Sequence, residues 1–260
     1  MVSRTAPGPR SDRRRPGLRA TLSMAGLALG LGGDAAETRA GAAAAEADRV
    51  VLLHGLGRTR NNMLILEWRL ERLGHHVCNV GYDTRVRDIR DAVASVRRSI
   101  EACGRGPEGR LHFVTHSLGG LVLRALLADS PPPRLGRAVM LAPPNQGSEI
   151  ADRLRALGWL EPVLGPLAPQ LGTGPHDLPR RLPAPDLPFG VIAGDAWINP
   201  AGPLWLPAPH DGTVSVESTR LRGMRDHIVL PHSHTFIVAA ASVADQVDRF
   251  LRDGAFDHGR

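Results

Sequence analysis

The sequence predicts an α/β protein, with a mostly parallel sheet, helices on both faces and a proline-rich cap. Three observations carry this reading. Short apolar runs of strand length alternate with segments whose apolar residues recur every three or four positions, from Arg49 to about Leu251. One run, "RLHFVTHS", feeds without a break into the helical "LGGLVLRALLAD". And 12 of the 22 prolines fall between Pro162 and Pro209, where the alternation stops. A length of 260 residues accommodates one such domain and an extra segment, and 42% apolar against 22% charged residues is a globular balance.

Residues 1–48 differ in texture from the rest of the chain. "RSDRRRPGLR" is basic, "ATLSMAGLALGLGG" is uncharged, and "DAAETRAGAAAAEAD" is rich in small residues. That order is the order of a signal peptide, and Arg14-Arg15 loosely suggests twin-arginine export. A periplasmic or secreted location is therefore expected; the alternative is a disordered extension on a cytoplasmic protein.

The domain then spans residues 49–256. "RVVLLHG" reads as a buried strand, and "NNMLILEWRLERLG" as a helix with Met63, Leu66, Leu70 and Leu73 on one face. "HHVCNVGYD" is a strand, and Val86 to Cys103 an amphipathic helix ending at Gly104. "RLHFVTHS" and "RAVMLAPP" are further strands, each leading to a helix, the second beginning in "SEIADRLRAL". Proline at the density seen after residue 158 prevents long helices and central strands, so residues 158–188 and 196–210 are expected to form an irregular cap around one embedded strand, "FGVIAGD". "DHIVLP" is the last strand. Phe236 to Leu251 is the last helix, with Val243, Val247 and Phe250 inward and Gly254 as its stop.

Composition removes some chemistries. All 32 cationic residues are arginine, so there is no Schiff-base lysine and no phosphate-binding P-loop lysine. The arginines are scattered among acids rather than gathered into a stripe with aromatics, which argues against a nucleic-acid partner despite the net charge of +6. Of the two cysteines, Cys103 falls in register with Ile89, Val93, Val96 and Ile100 and reads as core; a Cys78–Cys103 bridge is the alternative if the protein is exported.

Ligands of open parallel sheets bind at the carboxyl ends of the strands. The polar residues that fall there are His54-Gly55, Ser117, Asn145-Gln146, Asp195, Asp211 and the pair His232/His234. Ser…Asp…His in that chain order is an arrangement for nucleophilic acyl transfer. Ser117 sits on a strand-to-helix elbow of the form T-H-S-L-G-G, with Thr115 where glycine is usual; as a bare helix cap it would be unremarked. The base is His232 or His234, with His234 favoured by its place just before the final helix. A metal held by His-x-His is not expected, because no third ligand stands at suitable spacing. The carboxylate is Asp211 or Asp195, with Asp211 favoured. The backbone amides of Leu56 and Leu118 form the natural oxyanion pair. Arg58 and Arg60 lie near that loop, and His54 is expected to support it.

Taken together, "VVLLHGLGRTRNNM", "VTHSLGGLVLR", "LAPPNQGSEIAD", "HDGTVSVEST" and "SHTFI" resemble the bacterial esterase/lipase branch of the α/β-hydrolase superfamily, over Arg49 to about Leu251. The resemblance implies the α/β-hydrolase fold, with nucleophile in the elbow, acid in D-G-x-V and base in the last loop, which fall on Ser117, Asp211 and His234. It implies hydrolysis of a small-molecule or lipid ester through an acyl-enzyme, with no cofactor. An acyltransferase or lipid deacylase at a membrane surface, and a non-catalytic hydrolase-fold binding protein, are the alternatives. Thr115 and the proline-rich cap are where the chain departs from the pattern.

Overall fold

Val51 lies between Cys78 on one side and Phe113 on the other, and this register fixes the centre of a parallel sheet. A computed structural model describes residues 48–103, 109–198 and 202–259; the expected leader, apart from Asp48, and Gly104 lie outside them. Six strands are described: β1 (Arg49–Leu53), β2 (His76–Val80), β3 (Leu111–His116), β4 (Leu135–Leu141), β5 (Phe189–Gly194) and β6 (Asp226–Leu230). They pair all-parallel in the order β2-β1-β3-β4-β5-β6.

The sheet is buried on both faces because its strands are apolar at consecutive positions. Val51, Leu53, Phe113 and Met140 face one way, onto α2 (Ile89–Ala102) and α3 (Leu118–Asp129). Val50, Leu52, Val114 and Val139 face the other way, onto α1 (Leu64–Arg72) and the carboxy-terminal α9 (Ala241–Asp253). Period-2 alternation thus sorts one strand into two cores, as sheets covered by crossover helices require. The helices are set by local signals: the Asp88 carboxylate accepts from the Arg90 amide at the start of α2, and Gly254 closes α9 at φ 82°.

Between β4 and β5 come α4 (Glu149–Ala156), α5 (Leu160–Leu164), a 3-10 turn (Ala168–Leu171) and α6 (Leu178–Arg181). Proline keeps the last three short, as expected. After β5 follow two further single turns, α7 (Gly202–Trp205) and α8 (Val216–Thr219), before β6.

Two expectations need correction. Cys103 is exposed, not core, and is bridged to Cys78, with Cα atoms 6.1 Å apart. Cys103 is the cap of α2, just past its last helical residue Ala102, where the periodic face no longer holds. The last helix starts at Ala241 rather than Phe236. A 3-10 turn, Ile237–Ala239, precedes it, Ala240 is extended, and Phe236 is left 58% exposed.

Candidate active site

Ser117 follows the last residue of β3 and precedes the first of α3, and this forces a reversal. Its backbone adopts φ 54°, ψ −121°, in the positive-φ region that a side chain other than glycine enters at a cost of roughly 1–3 kcal/mol. The turn is held on both sides: the Ser117 amide donates to Leu141 O at 2.9 Å, and Ser117 O accepts from Gly120 N at 2.9 Å. Its hydroxyl makes no capping bond to the helix. A helix cap is therefore not what the serine does. Glycine at 119 is dictated by close approach, since a Cβ there would lie 2.6 Å from Leu53 O and 2.9 Å from His54 O. Gly120 is set by Pro143, whose Cβ would lie 3.1 Å from a Cβ there, while Thr115 Oγ1 would be at an ordinary contact distance of 3.5 Å.

The strand ends bring three predicted side chains together. Ser117 Oγ is 3.0 Å from His234 Nε2, and His234 Nδ1 is 2.7 Å from Asp211 Oδ2. The Asp211 carboxylate is buried, and its other oxygen accepts from the amides of Thr213 and Val214 at 2.9 and 2.8 Å. The bend at Gly212 to Val214 thus clamps the carboxylate and leads on to α8. His232 and Asp195 remain outside. His232 Nε2 pairs with Ser242 Oγ at 2.8 Å, and Asp195 is exposed at the end of β5.

The loop after β1 is braced. His54 is buried and stacks on Tyr82, ring centroids 4.3 Å apart. His54 Nδ1 donates to Gly55 O at 3.0 Å while Tyr82 N donates to His54 Nε2, and burial holds the imidazole below its ordinary pKa. Tyr82 OH donates to His54 O, and Thr84 Oγ1 accepts from Gly57 N at 3.0 Å. Leu56, whose amide is the expected oxyanion donor, lines the same cavity as Ser117, and Leu118 is the first residue of α3. Neither amide donates to another described residue. Of the two nearby arginines, Arg58 lines the cavity and Arg60 does not.

That cavity, about 240 Å³, opens onto Ser117 and His234. Its wall is mainly apolar: Ile150, Ala151 and Leu154 from α4, Leu160 and Leu164 from α5, and Leu171 from the 3-10 turn. The cap wall therefore starts at α4, ahead of residue 158, where the proline-rich segment begins.

The sequence gives no role to two residues, His116 and Arg124. His116 is buried beside His234, its Nε2 donating to His234 O at 2.9 Å, with the two rings 4.9 Å apart. Burial, and then the neighbouring His234, keep His116 well below the usual imidazole range. Asn145 and Gln146 sit at a strand end but turn away from the cavity, donating to Thr219 O and Arg220 O. Arg124 is buried in α3 and hydrogen-bonds to Asn145 and to the carbonyls of Pro179, Leu182 and Pro183. One sequence signal marks it: it is the single charged residue between Leu118 and Ala128.

No protein-family model matches the chain, and no curated protein sequence does. Solved structures do. The mature form of the lipase BlEst2 from Bacillus licheniformis superposes with a TM-score of 0.58 at 17% identity, over 75% of this chain and 87% of that one. The phospholipase PlaB from Legionella pneumophila gives 0.59 at 16% identity, over 81% of this chain and 60% of that one. The metagenomic carboxyl esterase MGS0156 gives 0.55 at 18% identity, over 75% of this chain and 66% of that one. This chain thus spans less than two thirds of the last two. Six parallel strands, the elbow at Ser117 and these superpositions lead to one conclusion: the chain has the α/β-hydrolase fold.

Proposed function

We propose that this protein hydrolyses carboxylic esters through an acyl-enzyme on Ser117. The observation that carries the reading is the unbroken relay from Ser117 Oγ through His234 to the buried Asp211 carboxylate, at 3.0 and 2.7 Å. Ser117 Oγ attacks the acyl carbon as His234 Nε2 takes its proton, and Asp211 stabilises the imidazolium through Nδ1–H. The amides of Leu56 and Leu118 receive the oxyanion, each worth about 3 kcal/mol in the transition state. Collapse expels the alcohol, which takes the proton back from His234. Water then adds to the acyl carbon by the same base, releasing the acid and free Ser117. The apolar cavity suits the acyl chain. The neighbours described as lipase, phospholipase and carboxyl esterase support the same class of substrate.

A fluorophosphonate probe with peptide mapping tests this directly. Labelling on Ser117 that disappears in His234→Ala is expected. A folded protein that stays unlabelled, with or without detergent, counts against an activated serine.

A lipid substrate at a membrane surface is a second reading, favoured by one feature of α5. Its neighbour Trp159 and its own Val163 are 66% and 67% exposed, while Leu160 and Leu164 line the cavity. A rate that jumps once the ester passes its micelle threshold supports it; a hyperbolic rate through that threshold opposes it. The Cys78–Cys103 bridge supports export to an oxidising compartment, tested by amino-terminal sequencing of protein recovered from periplasm and medium.

A further inference from the structure

Arg124 is a buried guanidinium with no carboxylate partner among the described residues. Such a charge is costly unless every N–H is satisfied. Here each is. Nε donates to Pro183 O at 3.0 Å, Nη1 to Asn145 O and Oδ1 at 3.2 and 3.3 Å, and Nη2 to Pro179 O at 2.8 Å and to Leu182 O. Five donors meet five neutral acceptors, and burial lowers its pKa to about 10, which leaves it charged at neutral pH. The acceptors come from two stretches far apart in sequence. Pro179, Leu182 and Pro183 belong to α6 and its exit, and α6 packs on the 3-10 turn whose Ala168 and Leu171 line the cavity. Asn145 lies between Pro144 and Ser148, which line the cavity from the β4 side, and its own amide holds Thr219 O at 2.8 Å.

We propose that Arg124 is a positioning residue that sets acyl-chain selectivity: by tying α6 to the loop after β4, it fixes the cap wall of the acyl cavity relative to Ser117. The proposal rests on the ester-hydrolase reading. A short acyl group stays near Ser117 and has little need of that wall, whereas a long one lies against it. Lysine cannot replace Arg124, because three donors on a point charge do not span five acceptors.

The test compares p-nitrophenyl acetate and octanoate in wild type, Arg124→Lys, Arg124→Ala and Asn145→Ser. Loss of the wall's position is expected to lower octanoate kcat/KM by about tenfold or more, chiefly through KM, and acetate by less than about threefold. Asn145→Ser, which removes one acceptor of five, is expected to show a smaller shift in the same direction. Ethylguanidinium is expected to restore octanoate turnover in Arg124→Ala. Hydrogen exchange is expected to rise in peptides spanning residues 168–183 and not in β1 or β3. Parallel loss on both esters with exchange rising across the strands, or no change on either, overturns the proposal. A wild-type chain that turns over neither ester and leaves Ser117 unlabelled overturns the ester reading, and the proposal falls with it.

Discussion

His234 and Asp211 are joined twice: side chain to side chain at 2.7 Å, and by the His234 amide donating to Asp211 O at 3.0 Å. The loop carrying His234 is thus pinned to the loop carrying Asp211. His234→Ala is expected to lower kcat by about 10⁶ and Asp211→Asn by about 10⁴, because asparagine keeps the geometry and loses the charge. Steady-state kinetics on one soluble ester separates them. Equal losses would mean that Asp211 acts in some way other than by orienting and stabilising His234.

Asp211→Ala carries a second consequence. It leaves the Thr213 and Val214 amides, and His234 Nδ1, without their acceptor. An expected loss of about 1–3 kcal/mol should appear in urea unfolding, beyond anything seen for Asp211→Asn. Indistinguishable midpoints for the two variants would contradict the clamp.

Thr115 is the departure from glycine in the elbow, and its buried Oγ1 has no hydrogen-bond partner among the described residues. Valine has nearly the same shape and no hydroxyl. Thr115→Val is expected to stabilise the fold by about 1 kcal/mol with little effect on turnover. A destabilised variant would show that the hydroxyl has a partner in solution.

The Cys78–Cys103 bridge closes a segment separated by 25 residues and ties β2, an edge strand, to the end of α2. Replacing both cysteines with serine is expected to cost about 3 kcal/mol, from the added freedom of the unfolded chain. Thermal unfolding with and without reductant measures this, and a reductant-insensitive wild type would show that the bridge does not form.

Stability should fall as acid is added. His116 and His227 are neutral in the fold for the same first reason, burial, which holds His116 well below the ordinary value near 6.5 and His227 at about 4. Between roughly pH 6.5 and 4 the unfolded chain binds protons that the folded chain refuses, so stability is fully present above that window and declines through it. Asp48 adds to the decline: burial alone would raise its pKa, but hydrogen bonds from the Arg110 amide and His112 outweigh this and hold it low. Urea midpoints at pH 7.5, 6 and 4.5 should decrease in that order; a flat series would refute buried neutral histidines.

Much of the fold is legible in the linear order of residues. The strand β1 is apolar at Val50, Val51, Leu52 and Leu53, and α3 follows Ser117 with Gly119 and Gly120, because a two-sided sheet and a tight strand-to-helix approach admit few other residue types. Ser117, Asp211 and His234 are visible there as candidates, but not their contact, since the serine and histidine are 117 positions apart. The choice of His234 over His232 is a matter of which way the loop turns, and that depends on its bond to Asp211. Cys103 misleads for a related reason: helical periodicity reports the face of a helix and says nothing of where the helix ends, here at Ala102. Arg124 shows the limit most plainly. A lone charge in an apolar helix marks a position, but its five acceptors are backbone and amide oxygens from two distant loops, and no residue type announces where a carbonyl will point.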